Sequence, residues 1–185
     1  MRKMKRNRIL LTLLVILLLV FATKGIVYNG ANKILYKDYI VQYSKEYELD
    51  PYLVMAIINA ESKFDKDAIS SKGAMGLMQM TESTAEWVAE STNTTDFETH
   101  DLYDPETNIK MGCWYINKLR DEFGNTQLVL AAYNAGPGNV EEWLKDSNIS
   151  KDGQYLDNIP YGETDNYIKR VLLNKEIYQH MNKIN

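Results

Sequence analysis

Glu61 is the ionisable residue best placed for chemistry, because it lies near the end of the most apolar helical stretch after residue 30. Isoleucines lie three and four residues before it and Phe64 three after it, so a helix puts all of them on one face. A carboxyl group there loses hydration, which favours its protonated form. Such an acid can protonate a leaving oxygen, as glycosidases require. The alternative is a structural carboxylate, solvated or paired with Lys63 or Lys66.

Two other polar groups lie at helix ends. Tyr133 and Asn134 precede Ala-Gly-Pro-Gly at the end of a short apolar helix. They could form one wall of a cleft, with the amide donating to and accepting from sugar hydroxyls. An ordinary helix end followed by a helix-stopping proline would look the same. Glu163 and Tyr167, four residues apart, share a face at the start of the last helix, although Glu163 could simply complement the helix dipole.

Residues 70–80, SSKGAMGLMQM, contain two glycines three positions apart. This spacing favours a tight loop or short strands over a helix. Ser70 and Gln79 are the polar residues of this segment that could line a site. Its methionines are most simply interpreted as core residues.

Helical patterns predict the elements that must position these side chains. Asp50-Pro51 and Asp104-Pro105 each combine an N-cap with proline at the first helical position. Ser83 and Glu86 suggest a capping box for a short helix. On the helix after Asp104, Gly112 would allow another backbone to approach closely. Helices are expected at 36–47, from 51 to about 62 or 64, and at 83–90, 105–123, 127–134, 140–145 and 163–181. This gives a mainly α domain with a small irregular or β excursion near 70–80.

The first thirty residues carry six basic and no acidic side chains. Ile9–Thr23 has no charge, and the apolar stretch continues past Lys24 to Tyr28, long enough to cross a bilayer. We expect a cytoplasmic basic tail at 1–8, a transmembrane signal-anchor at 9–28, a linker at 29–35 and a catalytic domain at 36–185. A cleaved signal peptide is the alternative. Both interpretations place the domain outside the cytoplasm.

Composition excludes several classes of function. Residues 31–185 carry 15 basic and 25 acidic side chains, a net charge of −10, so nucleic acid is not an expected partner. The single cysteine, Cys113, excludes an internal disulfide framework. Only two histidines occur, His100 and His180, which argues against a histidine-based metal site.

Over residues 36–181 the chain resembles the catalytic domain of the soluble lytic murein transglycosylases, a family similar to goose-type lysozyme. Five blocks occur in the family's order: LDPYLVMAIINAESKF, AISSKGAMGLMQMTESTA, DPETNIKMGCWYINKL, AAYNAGPGNV and IPYGETDNYIKRV. The resemblance implies an α+β lysozyme-like fold, no metal and no cofactor. It implies that Glu61 is the single catalytic acid and base. The positions that match residues lining the sugar-binding cleft are Ser70, Gln79, Tyr133, Asn134, Glu163 and Tyr167.

The implied reaction cleaves the β-1,4 bond between N-acetylmuramic acid and N-acetylglucosamine in peptidoglycan and forms a 1,6-anhydro ring. Glu61 would protonate the glycosidic oxygen and then take the proton of the attacking C6 hydroxyl. Two departures from the family pattern, Glu82 in place of proline and Asp165 in place of arginine, affect the cleft rather than this proton transfer. A hydrolytic muramidase and an inactive cell-wall-binding protein are the alternatives. An envelope-spanning machine is a further possible partner, which nothing in the sequence identifies.

Overall fold

The computed structural model of the protein describes residues 35–181, and this part of the chain is mainly helical. The prediction of a mainly α domain is confirmed. The predicted basic tail, membrane span and all but the last residue of the linker lie outside the described residues. Between residues 35 and 181, no helix is long and apolar enough to cross a membrane. The α-helices of this part are α1 (Lys37–Glu46), α2 (Pro51–Glu61), α3 (Glu82–Ser91), α4 (Pro105–Phe123), α5 (Thr126–Ala135), α6 (Pro137–Lys145) and α7 (Gly162–Met181).

Helix α2 forms the centre of the core. Its residues 53–58 are all buried, because apolar side chains occupy every face of the helix. As predicted, Asp50 is its N-cap and accepts a hydrogen bond from the Tyr52 amide at 2.9 Å. Helix α7 packs along α2, and Lys175 Nζ lies 2.9 Å from Asp50 Oδ2 at one end of this pair. Glu61 lies at the opposite end of α2.

The segment 70–80, called the glycine loop below, has an irregular path with two isolated antiparallel bridges, Ile69 to Met75 and Met75 to Met80. The predicted irregular or β excursion is thereby confirmed. The buried side chain of Asn108 on α4 holds this loop. Its Nδ2 donates to the carbonyls of Met75 at 3.0 Å and Leu102 at 2.9 Å, and its Oδ1 accepts from the Met78 amide at 2.7 Å.

Two local predictions differ from the structure. Thr81, not Ser83, is the N-cap of α3, and its hydroxyl accepts from the Thr84 amide at 3.3 Å. The Ser83 capping box is therefore wrong, because the chain leaves the glycine loop already aligned for a helix that starts at residue 82. Gly112 does allow a close approach, but of the Met78 side chain rather than a backbone. A Cβ on Gly112 would lie 2.4 Å from Met78 Sδ.

Helix α6 also differs from the prediction, because it starts at Pro137 rather than at Val140. Proline is well suited to the first turn of a helix, where its missing N–H is not needed. Pro137 therefore begins one helix as well as ending the preceding one.

Two glycines of the glycine loop provide a matched test of this packing. Gly76 and Gly73 both have positive φ, +74° and +78°. A Cβ on Gly76 would lie 2.2 Å from the Leu102 carbonyl oxygen, whereas a Cβ on Gly73 would meet nothing within 4 Å. We expect Gly73→Ala to cost about 1 kcal/mol of unfolding free energy from backbone strain. Gly76→Ala should cost at least about 2 kcal/mol more, because Leu102 and Asn108 must shift. Urea unfolding measures both, and equal losses would contradict the packing.

Candidate active site

Glu61 is the last residue of α2, and most of its side chain is covered while part remains accessible. Burial raises the pKa of its carboxyl group to about 7, from a normal value of 4.5. The nearby Tyr167 hydroxyl and the Arg170 charge act in the opposite direction, while the Glu163 charge adds to the increase. Glu61 therefore holds its proton close to neutral pH, as predicted. The predicted extent of the helix was wrong, because α2 ends at Glu61 rather than at residue 62 or 64. Phe64 lies outside the helix with a φ of +67°, so it does not share the helix face of Glu61 as expected.

The alternative of a lysine-paired carboxylate is wrong for Lys66, since its Nζ lies 2.7 Å from Asp67 Oδ1. Within residues 35–181, no lysine or arginine nitrogen forms a salt bridge with Glu61. No lysine or arginine side chain therefore neutralises an ionised Glu61 by direct contact. The carboxyl group becomes neutral by keeping its proton.

Helix α7 brings Tyr167 next to Glu61. Only 2% of Tyr167 is exposed, and its hydroxyl makes no hydrogen bond of normal length and angle within the described part of the chain. Arg170 lies one turn further along, with its guanidinium carbon 5.8 Å from the centre of the Tyr167 ring. The Tyr167 hydroxyl is therefore a buried donor that can stabilise the ionised Glu61 carboxylate after proton transfer.

Tyr133, near the end of α5, lies close enough to Glu61 to be affected by its charge. Its hydroxyl donates to the Met78 carbonyl at 2.7 Å and so joins α5 to the glycine loop. Burial, followed by the Glu61 charge, raises the pKa values of both Tyr133 and Tyr167 well above normal. Both phenols therefore stay neutral and act as hydrogen-bond donors rather than as bases.

Asn134 joins α5 to the first turn of α7. Its Oδ1 accepts from the Thr164 hydroxyl at 2.8 Å, and only 2% of Thr164 is exposed. This contact leaves the Nδ2 donors of Asn134 directed away from Thr164. Sequence analysis missed Thr164, because the bond spans 30 residues and no local pattern reports it. Glu163, the preceding residue, is exposed and close enough to Glu61 to raise its pKa.

Ser70 and Gln79 use their polar atoms to shape the glycine loop. Ser70 Oγ accepts from the Lys72 amide at 3.2 Å and the Ala74 amide at 3.0 Å. Gln79 Nε2 donates to the carbonyls of Ala68 at 3.1 Å and Gly76 at 3.0 Å. Their role in binding substrate stays a prediction.

Two further structural residues of the site, besides Thr164, were missed by sequence analysis. Ser62 follows Glu61 and donates from its hydroxyl to the Leu77 carbonyl at 2.8 Å, which fastens the glycine loop beside the carboxyl group. Asn108 holds the same loop from α4. Asn108 lies four positions before Gly112, and residues four apart share a helix face. A polar side chain on this buried face was the signal in the sequence that could have identified it.

The described residues contain no group of three or more histidine, cysteine, aspartate or glutamate side chains that could hold a metal ion. Cys113 is fully buried, and burial raises the pKa of its thiol above the normal value. The candidate site is built from the Glu61 carboxyl group, the phenols of Tyr133 and Tyr167, amide and hydroxyl groups, and the nearby charges of Glu163 and Arg170.

The raised pKa of Glu61 predicts a pH dependence of stability. Between pH 4.5 and about 7, the folded chain keeps a proton that the unfolded chain has lost. The free energy of unfolding should therefore decrease as pH rises through this window. Glu61→Gln removes this penalty, so it should match the wild type at pH 4.5 and exceed it at pH 8 by up to roughly 3 kcal/mol. Urea unfolding of residues 31–185 at a series of pH values measures the difference. A constant offset at every pH would contradict the shift.

Comparisons with known proteins identify the family. The Transglycosylase SLT domain family matches residues 38–156. The soluble lytic murein transglycosylase of Salmonella typhimurium is 35% identical over 148 residues, which covers 78% of this chain and 23% of that protein. Membrane-bound lytic murein transglycosylase C of Edwardsiella ictaluri is 34% identical over 116 residues, which covers 57% of this chain and 32% of that protein. The structure of an inactive mutant of lytic transglycosylase Slt from Pseudomonas aeruginosa superposes with a TM-score of 0.69 at 33% identity. The superposition covers 79% of this chain and 24% of that one. The chain spans about a quarter of the Salmonella and Pseudomonas relatives, and it belongs to the Transglycosylase SLT domain family.

Proposed function

We propose that the protein is a peptidoglycan lytic transglycosylase in which Glu61 is the catalytic acid and base. The observation that carries this proposal is a partly accessible carboxyl group with a pKa raised to about 7, next to the buried Tyr167 hydroxyl. A general acid works best when its pKa lies near the working pH. Membership of the family supplies the substrate class, which is the glycan strand of the bacterial cell wall.

The reaction needs only one carboxyl group because the substrate supplies the nucleophile. Glu61 donates its proton to the glycosidic oxygen as the bond from this oxygen to C1 of N-acetylmuramic acid breaks. The C6 hydroxyl of the same sugar bonds to C1, and Glu61 takes its proton. Glu61 is regenerated and no water is consumed. The attack is intramolecular, so most of its entropic cost is met by holding the sugar in place.

The surrounding residues have distinct parts in this mechanism. The Tyr167 hydroxyl stabilises the Glu61 carboxylate between the two proton transfers. Asn134 Nδ2 and the exposed Glu163 carboxylate are the groups that would bind sugar substituents, while Ser70 and Gln79 maintain the glycine loop. A similar dependence on one acid holds for the Pseudomonas aeruginosa Slt, which is inactive when a single glutamate is replaced by glutamine.

We further propose that the domain acts outside the cytoplasm, attached to the membrane through residues 9–28. The basic residues before this apolar stretch orient such a segment with its start in the cytoplasm. The membrane-bound relative from Edwardsiella ictaluri supports an anchored arrangement within the family. A cleaved N-terminal segment would release the domain on the same side of the membrane.

The mechanism predicts that Glu61→Gln reduces cleavage of isolated peptidoglycan by at least about 100-fold, because the amide preserves shape but cannot donate the proton. Tyr133→Phe and Glu163→Gln should reduce cleavage less, since neither transfers a proton. Mass spectrometry of the products released by residues 31–185 should show muropeptides lighter by one water molecule and without a reducing end. Near-normal activity of the Glu61 variant would refute the mechanism.

The products also separate the proposed activity from its rivals. Reducing muropeptides would indicate a hydrolytic muramidase that uses water in place of the C6 hydroxyl. Binding to the wall without any cleavage, unchanged by Glu61→Gln, would indicate a wall-binding protein.

The pKa of Glu61 sets a second prediction, for activity. The resting enzyme needs a protonated Glu61, so kcat/KM should fall tenfold for each pH unit above about 7. Removing the positive charge with Arg170→Gln should move this decline to higher pH, because the Arg170 charge favours the ionised carboxyl group. Initial rates on peptidoglycan between pH 5 and 9 test both statements, and a decline at the same pH in both proteins would contradict the role of Arg170.

A further inference from the structure

A small cavity lies between α1, the end of α3 and the first half of α4. Its volume is about 200 Å³. This space is equivalent to roughly seven water molecules, since each occupies about 30 Å³ in the liquid. The lining of the cavity, as far as the structure describes the chain, includes no residue assigned to the candidate active site. The cavity is therefore a separate feature, and its size suits a small molecule rather than a polymer.

Helix α4 presents different faces to this cavity and to the glycine loop. Glu106, Lys110 and Trp114 line the cavity at four-residue spacing. Asn108 and Gly112, also four residues apart, contact the glycine loop. Rows displaced by two residues on an α-helix are turned by roughly 160° relative to each other. A ligand in the cavity would therefore contact a different face of α4 from the one that holds the glycine loop.

Two opposite charges at the cavity do not pair with each other. Glu106 comes four residues before Lys110, the order and spacing that favour a salt bridge along a helix. Instead, the Tyr43 hydroxyl donates to Glu106 Oε1 at 2.7 Å, and only 5% of Tyr43 is exposed. Within residues 35–181, Lys110 Nζ forms no salt bridge with any carboxylate. A buried tyrosine thus holds the carboxylate in place, and the Lys110 ammonium group is available to a ligand.

An apolar surface completes the cavity. Val88 and Met111 are buried, and Trp114 packs against the same hydrophobic cluster. The Thr92 hydroxyl donates to the Val88 carbonyl at 2.9 Å and also lies 2.7 Å from the Thr94 hydroxyl, so the protein already uses it. Apolar surface with a few polar groups at fixed positions is typical of small-molecule sites.

We propose that this cavity binds the zwitterionic end of an amino acid that has an aliphatic side chain. Lys110 pairs with the carboxylate of the ligand, Glu106 pairs with its ammonium group, and the side chain packs on Val88, Met111 and Trp114. A ligand that carries both charges satisfies both protein groups, whereas a ligand with one charge leaves one of them unpaired. The proposal does not depend on the proposed reaction, because no residue of the candidate active site contributes to it.

Two sources of ligand share this chemistry. One is a free amino acid in solution. The other is a cell-wall peptide in which the side chain of a diamino acid ends in a free amino group and a free carboxyl group on the same carbon. Both present an ammonium group, a carboxylate and an aliphatic chain, so the experiment must separate them.

The experiment titrates the full chain, labelled with 15N at tryptophan, with L-leucine and D-leucine and follows the indole N–H signals by NMR. The Trp114 signal should shift until the site is saturated. Trp143 packs on Tyr161 outside this cavity, and its signal should not shift. Glycine should bind at least about 10-fold more weakly, because it has no side chain to bury. N-acetyl-leucine and leucine amide each lack one charge, so each should also bind about 10-fold more weakly.

Charge-removing variants test the two ion pairs separately. Glu106→Gln should weaken leucine binding about 10-fold and leave the weak binding of N-acetyl-leucine unchanged, because that compound has no ammonium group. Lys110→Met should weaken leucine binding similarly and leave leucine amide unchanged, because the amide has no carboxylate. Glu142→Gln and Lys145→Met remove the charges of an exposed pair on α6 and should change no affinity.

Free meso-diaminopimelate and a wall tripeptide that carries it distinguish the two sources. Tighter binding of the tripeptide would assign the ligand to the cell wall, and tighter binding of the free compound would assign it to solution. Thermal unfolding of each variant confirms that the fold is intact, and the ligand series on the unsubstituted protein tests the proposal if a variant does not fold.

Three results would overturn the proposal. The first is the absence of a saturable Trp114 shift with every amino acid. The second is equal affinity for leucine, N-acetyl-leucine and leucine amide. The third is an equal loss for all three compounds in Glu106→Gln or Lys110→Met, which would indicate a change of cavity shape rather than the loss of one ion pair.

Discussion

Loss of water around the end of α2 is the constraint on which the site depends. Residues 53–58 of this helix are buried on every face, so Glu61 extends from the core into a space that other protein groups largely fill. Its carboxyl group exchanges hydration for contact with phenols, and its pKa rises to about 7. The packing of α7 along α2 maintains this environment, since the same contact that buries α2 places Tyr167 beside Glu61. Stability and proton retention thus come from one interface.

The glycine loop is the second part of this arrangement, and its position is set by hydrogen bonds from several elements. Asn108 on α4, Ser62 after α2 and Tyr133 on α5 all bond to main-chain groups of residues 75–78. Two glycines allow the fit, because side chains at Gly76 and Gly112 would collide with Asn108 and Met78. With these polar groups already used for structure, hydrogen bonds hold the wall of the site before any substrate binds, which lowers the entropic cost of binding.

Helix ends that carry their own caps could be predicted closely. Asp50-Pro51 and Asp104-Pro105 begin helices where expected, because each cap is completed within three residues of the same chain segment. The predicted capping box at Ser83 was wrong, because Thr81 is an equally good local N-cap. The path of the chain out of the glycine loop, which the local sequence does not reveal, selects Thr81. The approach to Gly112 was predicted but its partner was not, because the spacing of a helix face does not reveal which residue packs on it.

For the site, the sequence by itself determined that Glu61 lies near the end of an apolar helix and that its carboxyl group would resist ionisation. Both follow from neighbours within one helical turn. Tertiary structure alone decided that Tyr167, Glu163 and Arg170 act on this carboxyl group and that Thr164 orients Asn134. These contacts join residues far apart in the chain, and their formation depends on how whole helices pack. Periodicity and capping are local, whereas desolvation and cross-element hydrogen bonds are properties of the folded interface.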